Sequence, residues 1–146
     1  VMPVLNVKNF SHTAVRVSNV EASLDFYRDT IGLEVLKDIT LEGGFGRAVV
    51  CVFPGGVGVE FIELNGGDGK PQAVDGSVDT AMMALSVADI DQAYQLLKDK
   101  GYSISQPFDA AGIKLMMLQD PDGRNVEIAQ FGSADTAAEF QGYRRS

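Results

Sequence analysis

The chain has few residues suited to cross-linking, metal clusters or membrane anchoring. Its 146 residues include one cysteine, one histidine and no tryptophan. A lone cysteine excludes an internal disulfide. Cys51 sits in the apolar run Ala48 to Phe53, where it reads as a small buried hydrophobe rather than a nucleophile. A lone histidine, His12, excludes a metal site built from several imidazoles. No apolar run approaches the roughly 18 residues a membrane span needs. Val1 to Phe10 has no basic segment leading into an apolar one, so no signal peptide is expected. Cations are scarce too: 12 Lys and Arg against 20 Asp and Glu give a net charge of −8, and the only tight basic pair is Arg144-Arg145. Nucleic acids and anionic membranes are bound chiefly by clustered Lys and Arg, so both are unsuited partners. The expectation is a soluble, cytoplasmic protein whose partner is a small molecule, with a chain long enough for one sizeable core.

What the chain does contain is an internal repeat. His12 to Val20 lies 70 positions before Met82 to Ile90, and Val15/Leu85, Val17/Val87 and Val20/Ile90 fall together. Each copy alternates apolar and polar residues as a half-buried strand does. Each then meets a helix start, with Ser18 three residues before Glu21 and Asp89 three before Gln92, a cap and its N3 partner. Val20, Leu24, Tyr27 and Ile31 share one helical face, as do Ile90, Ala93 or Tyr94, and Leu97. Gly32 and Gly101 follow where a left-handed residue ends a helix. Short strands are expected at Leu33–Leu36 and Tyr102–Ile104. Farther on the offset is 67: the stretch from Phe53-Pro-Gly-Gly to Glu60 matches that from Asp120-Pro-Asp-Gly to Glu127, each a turn feeding a returning strand. The fold class is therefore α+β, with two βαβββ modules at about 8–64 and 80–131 in a single domain, 1–146. A Gly-rich linker, 65–79, joins them, and a tail, 132–146, carries a short helix expected at 134–140.

An early histidine on a strand (His12), a helix ending Phe26-Tyr27 with Gly32-Leu33 beyond it, and a closing Asp120-Pro-Asp-Gly leading to Glu127 resemble the vicinal oxygen chelate superfamily. That group includes glyoxalase I, methylmalonyl-CoA epimerase, extradiol dioxygenases and bleomycin-binding proteins. The resemblance implies two modules whose strands curve into a half-open cup. It also implies that the first and last strand of each module send one metal ligand into that cup. Those places are His12, Glu60, Met82 and Glu127. A thioether is a poor partner for a hard or borderline divalent ion beside carboxylates. The implied metal (Zn, Mn, Ni, Fe or Mg) is thus left with His12, Glu60 and Glu127, and its site is weakened or absent. The family pairs its modules within a chain or across a dimer, and open sheet edges invite pairing, so a homodimer is expected.

Strand alternation leads to the same residues independently. Glu60 shares a face with Ile62, opposite Val59 and Phe61, and Glu127 lies opposite Val126 and Ile128. His12, Ala14 and Arg16 share a face, as do Met82, Ala84 and Ser86. Carboxylates at repeat-related places in apolar strands are costly to bury without partners, which argues for a purpose. Glu127 is the candidate proton-transfer base, with His12 and Glu60 as its acid/base partners. The blander alternatives are solvated glutamates near strand ends, with Glu63 close to Glu60, and a hydrogen-bonded structural histidine. Arg16 could hold a substrate carboxylate or phosphate, against a simply solvated arginine. Met82 would line an apolar, substrate-binding cup. Two functions follow. One is a glyoxalase- or epimerase-like lyase or isomerase, moving a proton next to a carbonyl on a small, apolar or aromatic substrate. The other is a small-molecule binding or sequestering protein of the bleomycin-resistance kind, using the cup without turnover.

Overall fold

The structure, a computed structural model, describes residues 4–5, 8, 10–71, 83–110 and 112–131. Met82, most of the linker, the tail and the helix expected at 134–140 lie outside the described residues. The chain divides into two compact units, Val1–Asp75 and Gly76–Ser146. The first runs β1 (Thr13–Arg16), α1 (Val20–Leu24) continued by a π-helical segment (Asp25–Ile31), β2 (Glu34–Leu41), a 3-10 turn (Glu42–Gly44), β3 (Gly46–Val52) and β4 (Gly58–Leu64). The second runs β5 (Met83–Ser86), α2 (Ile90–Asp99), β6 (Phe108–Ala110), β7 (Ile113–Gln119) and β8 (Asn125–Phe131). The sheet orders are β1-β4-β3-β2 and β5-β8-β7-β6, so each unit has the βαβββ order that the repeat implied. In each, the first strand pairs parallel to the last, and the remaining neighbours are antiparallel. Among the described residues, no helix is long and apolar enough to cross a membrane.

Burial follows the two periodicities. In the first unit Val20, Leu24, Phe26 and Tyr27 pack under β3 and β4, whose Val49, Cys51, Val59 and Phe61 are also buried. Tyr27 stacks on Phe61 with ring centroids 4.7 Å apart, and Phe26 meets Tyr27 edge-on at 4.8 Å. Burying one such side chain contributes on the order of 1.5–3 kcal/mol. Two consecutive aromatics both reach the core because the helix widens after Leu24: the N–H groups of Gly32 and Leu33 both donate to the Tyr27 carbonyl at 2.9 Å. Gly32 then turns the chain with φ 101, the left-handed conformation expected of it. In the second unit Ile90 and Leu97 of α2 are buried, with Met116, Leu118, Val126 and Ile128 of β7 and β8. Cys51 is fully buried, and that burial pushes its thiol up, as befits a packing residue.

Three local expectations are corrected. The cap of the first helix is Asn19, not Ser18. Its side chain accepts from the Ala22 N–H at 2.9 Å, as Asp89 accepts from Gln92 at 3.0 Å. Asn19 and Asp89 are the pair that the 70-residue offset brings together. The segment Tyr102–Ile104 is no strand and keeps only a bridge from Ile104 to Leu118. Ser105 occupies the neighbouring ladder place, its hydroxyl accepting from the Met117 N–H at 2.9 Å, and Pro107 has no N–H to donate. The second unit's edge strand therefore starts later, at Phe108. In the first unit the expected strand at Leu33–Leu36 begins one residue later and runs on to Leu41.

The first N–H of each helix is capped from across the sheet. Val20 N–H donates to a Glu63 carboxylate oxygen at 2.7 Å, and Ile90 N–H donates to the Gln130 side-chain oxygen at 2.8 Å. Glu63 and Gln130 are 67 residues apart, as the closing hairpins are. Arg47, also on the helix side of β3, makes a bidentate pair with Asp38 (2.9 and 2.6 Å) and reaches Glu21 on α1. That guanidinium holds the Asp38 carboxyl below its usual range. Glu63→Ala and Gln130→Ala are each expected to lower stability by about 0.5–2 kcal/mol, the usual cost of an uncapped helix start, as read from urea unfolding midpoints. Glu63→Gln, which keeps the acceptor, should recover most of the loss, and unchanged midpoints in both alanine variants would refute the capping role.

Candidate functional site

The side of β4 facing away from α1 carries the first pair of candidate residues. With Val59 and Phe61 held under Tyr27, alternation turns Glu60 and Ile62 to the other face. The parallel register sets Ala14 beside Glu60, and His12, two residues earlier, falls on the same face. His12 Nε2 lies 3.4 Å from Glu60 Oε2, longer than a tight charge-assisted hydrogen bond. The other ring nitrogen, Nδ1, is 2.8 Å from Ser11 Oγ, which fixes the plane of the imidazole. The two side chains are 35% and 21% exposed, so the pair is reachable by a solute yet partly shielded from water. Gly58 makes this approach possible: a Cβ at that position would lie 3.1 Å from His12 Cβ.

Glu127 occupies the matching place in the second unit. Val126 and Ile128 are buried against α2, so Glu127 faces away from it, flanked by Ala84 on β5 and Met117 on β7. Among the described residues no donor or cation engages its half-buried carboxylate. The hairpin that delivers it is held by Asp120, itself 5% exposed. Asp120 accepts from the N–H groups of Asp122 and Arg124 at 3.0 and 2.9 Å and from the Arg124 guanidinium at 2.7 Å. The backbone bonds of this turn, Asp120 to Arg124 and Gly123 to Asp120, recur 67 residues earlier as Phe53 to Val57 and Gly56 to Phe53. The Asp-Pro-Asp-Gly motif is thus a structural clasp that aims Glu127.

Among the described residues of the first unit, no third imidazole, carboxylate or thiolate joins His12 and Glu60. A divalent ion would meet one nitrogen and one carboxylate there, fewer than the three protein ligands a catalytic site ordinarily needs. Arg16 lies on the same face two residues beyond Ala14, exposed and already engaged in an interaction of its own. Glu63, read as a solvent-facing neighbour of Glu60, points to the helix side as a cap. Three contributors escaped sequence reasoning: Ser11 at the imidazole, Gly58 beneath it, and Glu63 in its capping role. Only the Gly58–Val59–Glu60 spacing offered any hint of the second.

Comparisons with known proteins agree with this architecture. The Glyoxalase/Bleomycin resistance protein/Dioxygenase superfamily matches residues 9–128. The lactoylglutathione lyase of Neisseria meningitidis serogroup A is 30% identical over 139 residues, spanning 89% of this chain and 96% of that protein. Two solved structures share the fold at lower identity. The trypanothione-dependent glyoxalase I of Leishmania major has a TM-score of 0.70 at 19% identity, covering 94% of this chain and 99% of its own. An antibiotic binding protein from Streptomyces sp. CB03234 has a TM-score of 0.63 at 22% identity, covering 86% and 98%. With the same βαβββ units and a family match over most of its length, the chain belongs to the Glyoxalase/Bleomycin resistance protein/Dioxygenase superfamily, the vicinal oxygen chelate group.

Proposed function

We propose that this protein is a lyase or isomerase of the glyoxalase kind, moving a proton at a carbon beside a carbonyl. The observation that carries this reading is the His12–Glu60 pair, with Glu127 at the repeat-related place, in a chain similar over 89% of its length to a lactoylglutathione lyase. In this reading the two modules pair into one cup, within a chain or across a homodimer, and the three side chains line it. Glu127, uncommitted among the described residues, takes the proton from carbon. The His12–Glu60 pair hands a proton to and from the adjacent oxygen as charge builds there. Return of the first proton to the neighbouring carbon completes the shift. Lactoylglutathione, the compound in the relatives' name, is the first substrate to test. A divalent ion bound by His12, Glu60 and Glu127 would polarise the substrate oxygen.

Glu127→Gln keeps the shape of the side chain and removes the base. It is expected to slow solvent-deuterium exchange beside the carbonyl of lactoylglutathione by roughly 10²-fold or more, with an unchanged circular dichroism spectrum. An unaltered exchange rate would instead favour a binding or sequestering protein, a reading that the methionine at position 82 already supports. Met82→His should raise Zn²⁺ or Mn²⁺ uptake, measured on protein purified without chelator. If uptake stays at the parent level, the shared ligand geometry is wrong. Sedimentation at micromolar concentration is expected to give twice the 15.6 kDa chain mass, and a clean monomer would rule out the homodimer.

A further inference from the structure

The two ring nitrogens of His12 meet groups of unlike chemistry. Among the described residues its polar contacts are Ser11 Oγ, 2.8 Å from Nδ1, and Glu60 Oε2, 3.4 Å from Nε2. An ionised carboxylate can only accept, whereas a neutral imidazole has one N–H and one lone pair. A lone pair on Nε2 would face the lone pairs of Glu60, so the ring proton belongs on Nε2. Nδ1 is then the bare nitrogen, and the Ser11 hydroxyl, which can donate or accept by rotating, donates to it. At 3.4 Å the carboxylate biases the ring without gripping it, and the 2.8 Å bond to Ser11 is the tighter of the two.

Neither cation on this face takes over the serine's role. The cross-strand neighbours of Glu60 are Ala14 and Val50, whose side chains donate nothing. Arg16 lies four residues beyond His12 and has an interaction of its own. Lys37 reaches this face only because Leu36 is the extra residue of a β-bulge. Val35 lies opposite Cys51 and Lys37 opposite Val50, where regular pairing would turn Lys37 to the helix side. Lys37 is therefore two strands from Glu60, about 10 Å between backbones. Ser11, by contrast, adjoins the ring and is exposed, so its hydroxyl exchanges protons with water. That exposure matters, because a neutral imidazole giving up only its Nε2 proton would become an anion. The ring stays neutral when Nδ1 gains a proton in the same motion, and Ser11 stands where that proton must come from.

We infer that Ser11 is a positioning residue for proton transfer: it donates to Nδ1 of a neutral His12 protonated on Nε2, and it passes a proton to Nδ1 as Nε2 gives its own to the substrate oxygen. Water replaces the serine's proton. The later return of the oxygen's proton to Nε2 runs the path backwards, so no proton is gained or lost overall. This inference rests on the function proposed above and adds a residue to it. Its test uses the fact that His12 is the only histidine in the chain, so a long-range proton–nitrogen correlation spectrum of labelled protein shows a single imidazole. At about pH 9, above the ordinary imidazole range, the parent is expected to show the proton on Nε2. Ser11→Ala should move the Nδ1 resonance downfield, toward that of an unbonded ring nitrogen. It should also slow deuterium exchange beside the carbonyl of lactoylglutathione by roughly tenfold or more, in kcat rather than KM, with an unchanged circular dichroism spectrum. Ser11→Thr, which keeps the hydroxyl, should restore both. A parent ring protonated on Nδ1, as a metal on Nε2 would impose, overturns the assignment. So does an Nδ1 resonance or an exchange rate that Ser11→Ala leaves unchanged, since water would then serve as well. If the parent catalyses no exchange, the lyase reading fails and the relay with it, while the Nδ1 resonance still decides whether Ser11 donates to the ring.

Discussion

The packing of Tyr27 on Phe61 decides which face of β4 is buried, and most of the site follows from that one contact by alternation. A strand sends successive side chains to opposite faces, so locking Phe61 and Val59 under the helix turns Glu60 the other way with no further choice. The parallel pairing of β1 with β4 then carries His12 to the same face. Slipping the register by one residue would exchange the two sets and bury the carboxylate in an apolar core, at the high cost of an unpaired buried charge. The aromatic contact therefore acts as both core and register pin. The π-helical widening after Leu24 serves it by letting Phe26 and Tyr27 bury together.

The second constraint is the satisfaction of the helix starts. Both helices leave an N–H at their first residue, and in both units the last strand supplies the acceptor, Glu63 in one and Gln130 in the other. A carboxylate is the stronger partner near the positive end of a helix, an amide the milder one, yet the geometry is the same. Helix and last strand are thus bound by packing and by a directional bond, which holds the strand bearing Glu60 or Glu127 at a fixed height against its helix. The hairpins leading into these strands share their backbone bonds as well, although Asp120 and Arg124 reinforce only the second.

The two copies keep one backbone plan and diverge in what their open faces offer. The first presents an imidazole, a carboxylate and cations at Arg16 and Lys37. Among the described residues, the second presents Glu127 flanked by Ala84 and Met117. Because the buried face sets stability and the open face sets chemistry, the family can host unlike reactions and plain binding on one fold.

The sequence by itself determined the repeat, the order of elements and the face on which His12, Glu60, Arg16 and Glu127 lie, because these follow from local periodicity and from two offsets, 70 and 67. It also marked Cys51 as a packing residue and Gly32 as a helix stop. Only the tertiary structure decided the partners. Whether Ser18 or Asn19 capped the first helix, whether Glu63 served solvent or Val20, and whether Lys37 faced the helix or the candidate site depended on bonds between residues far apart in the chain. A bulge of one residue cannot be read from alternation, since it is the place where alternation fails. Ser105 escaped the same reading, because a side chain that takes a backbone's place in a ladder leaves no periodic trace. Periodic forces write themselves into sequence; single directional bonds across a sheet are settled only when the strands meet.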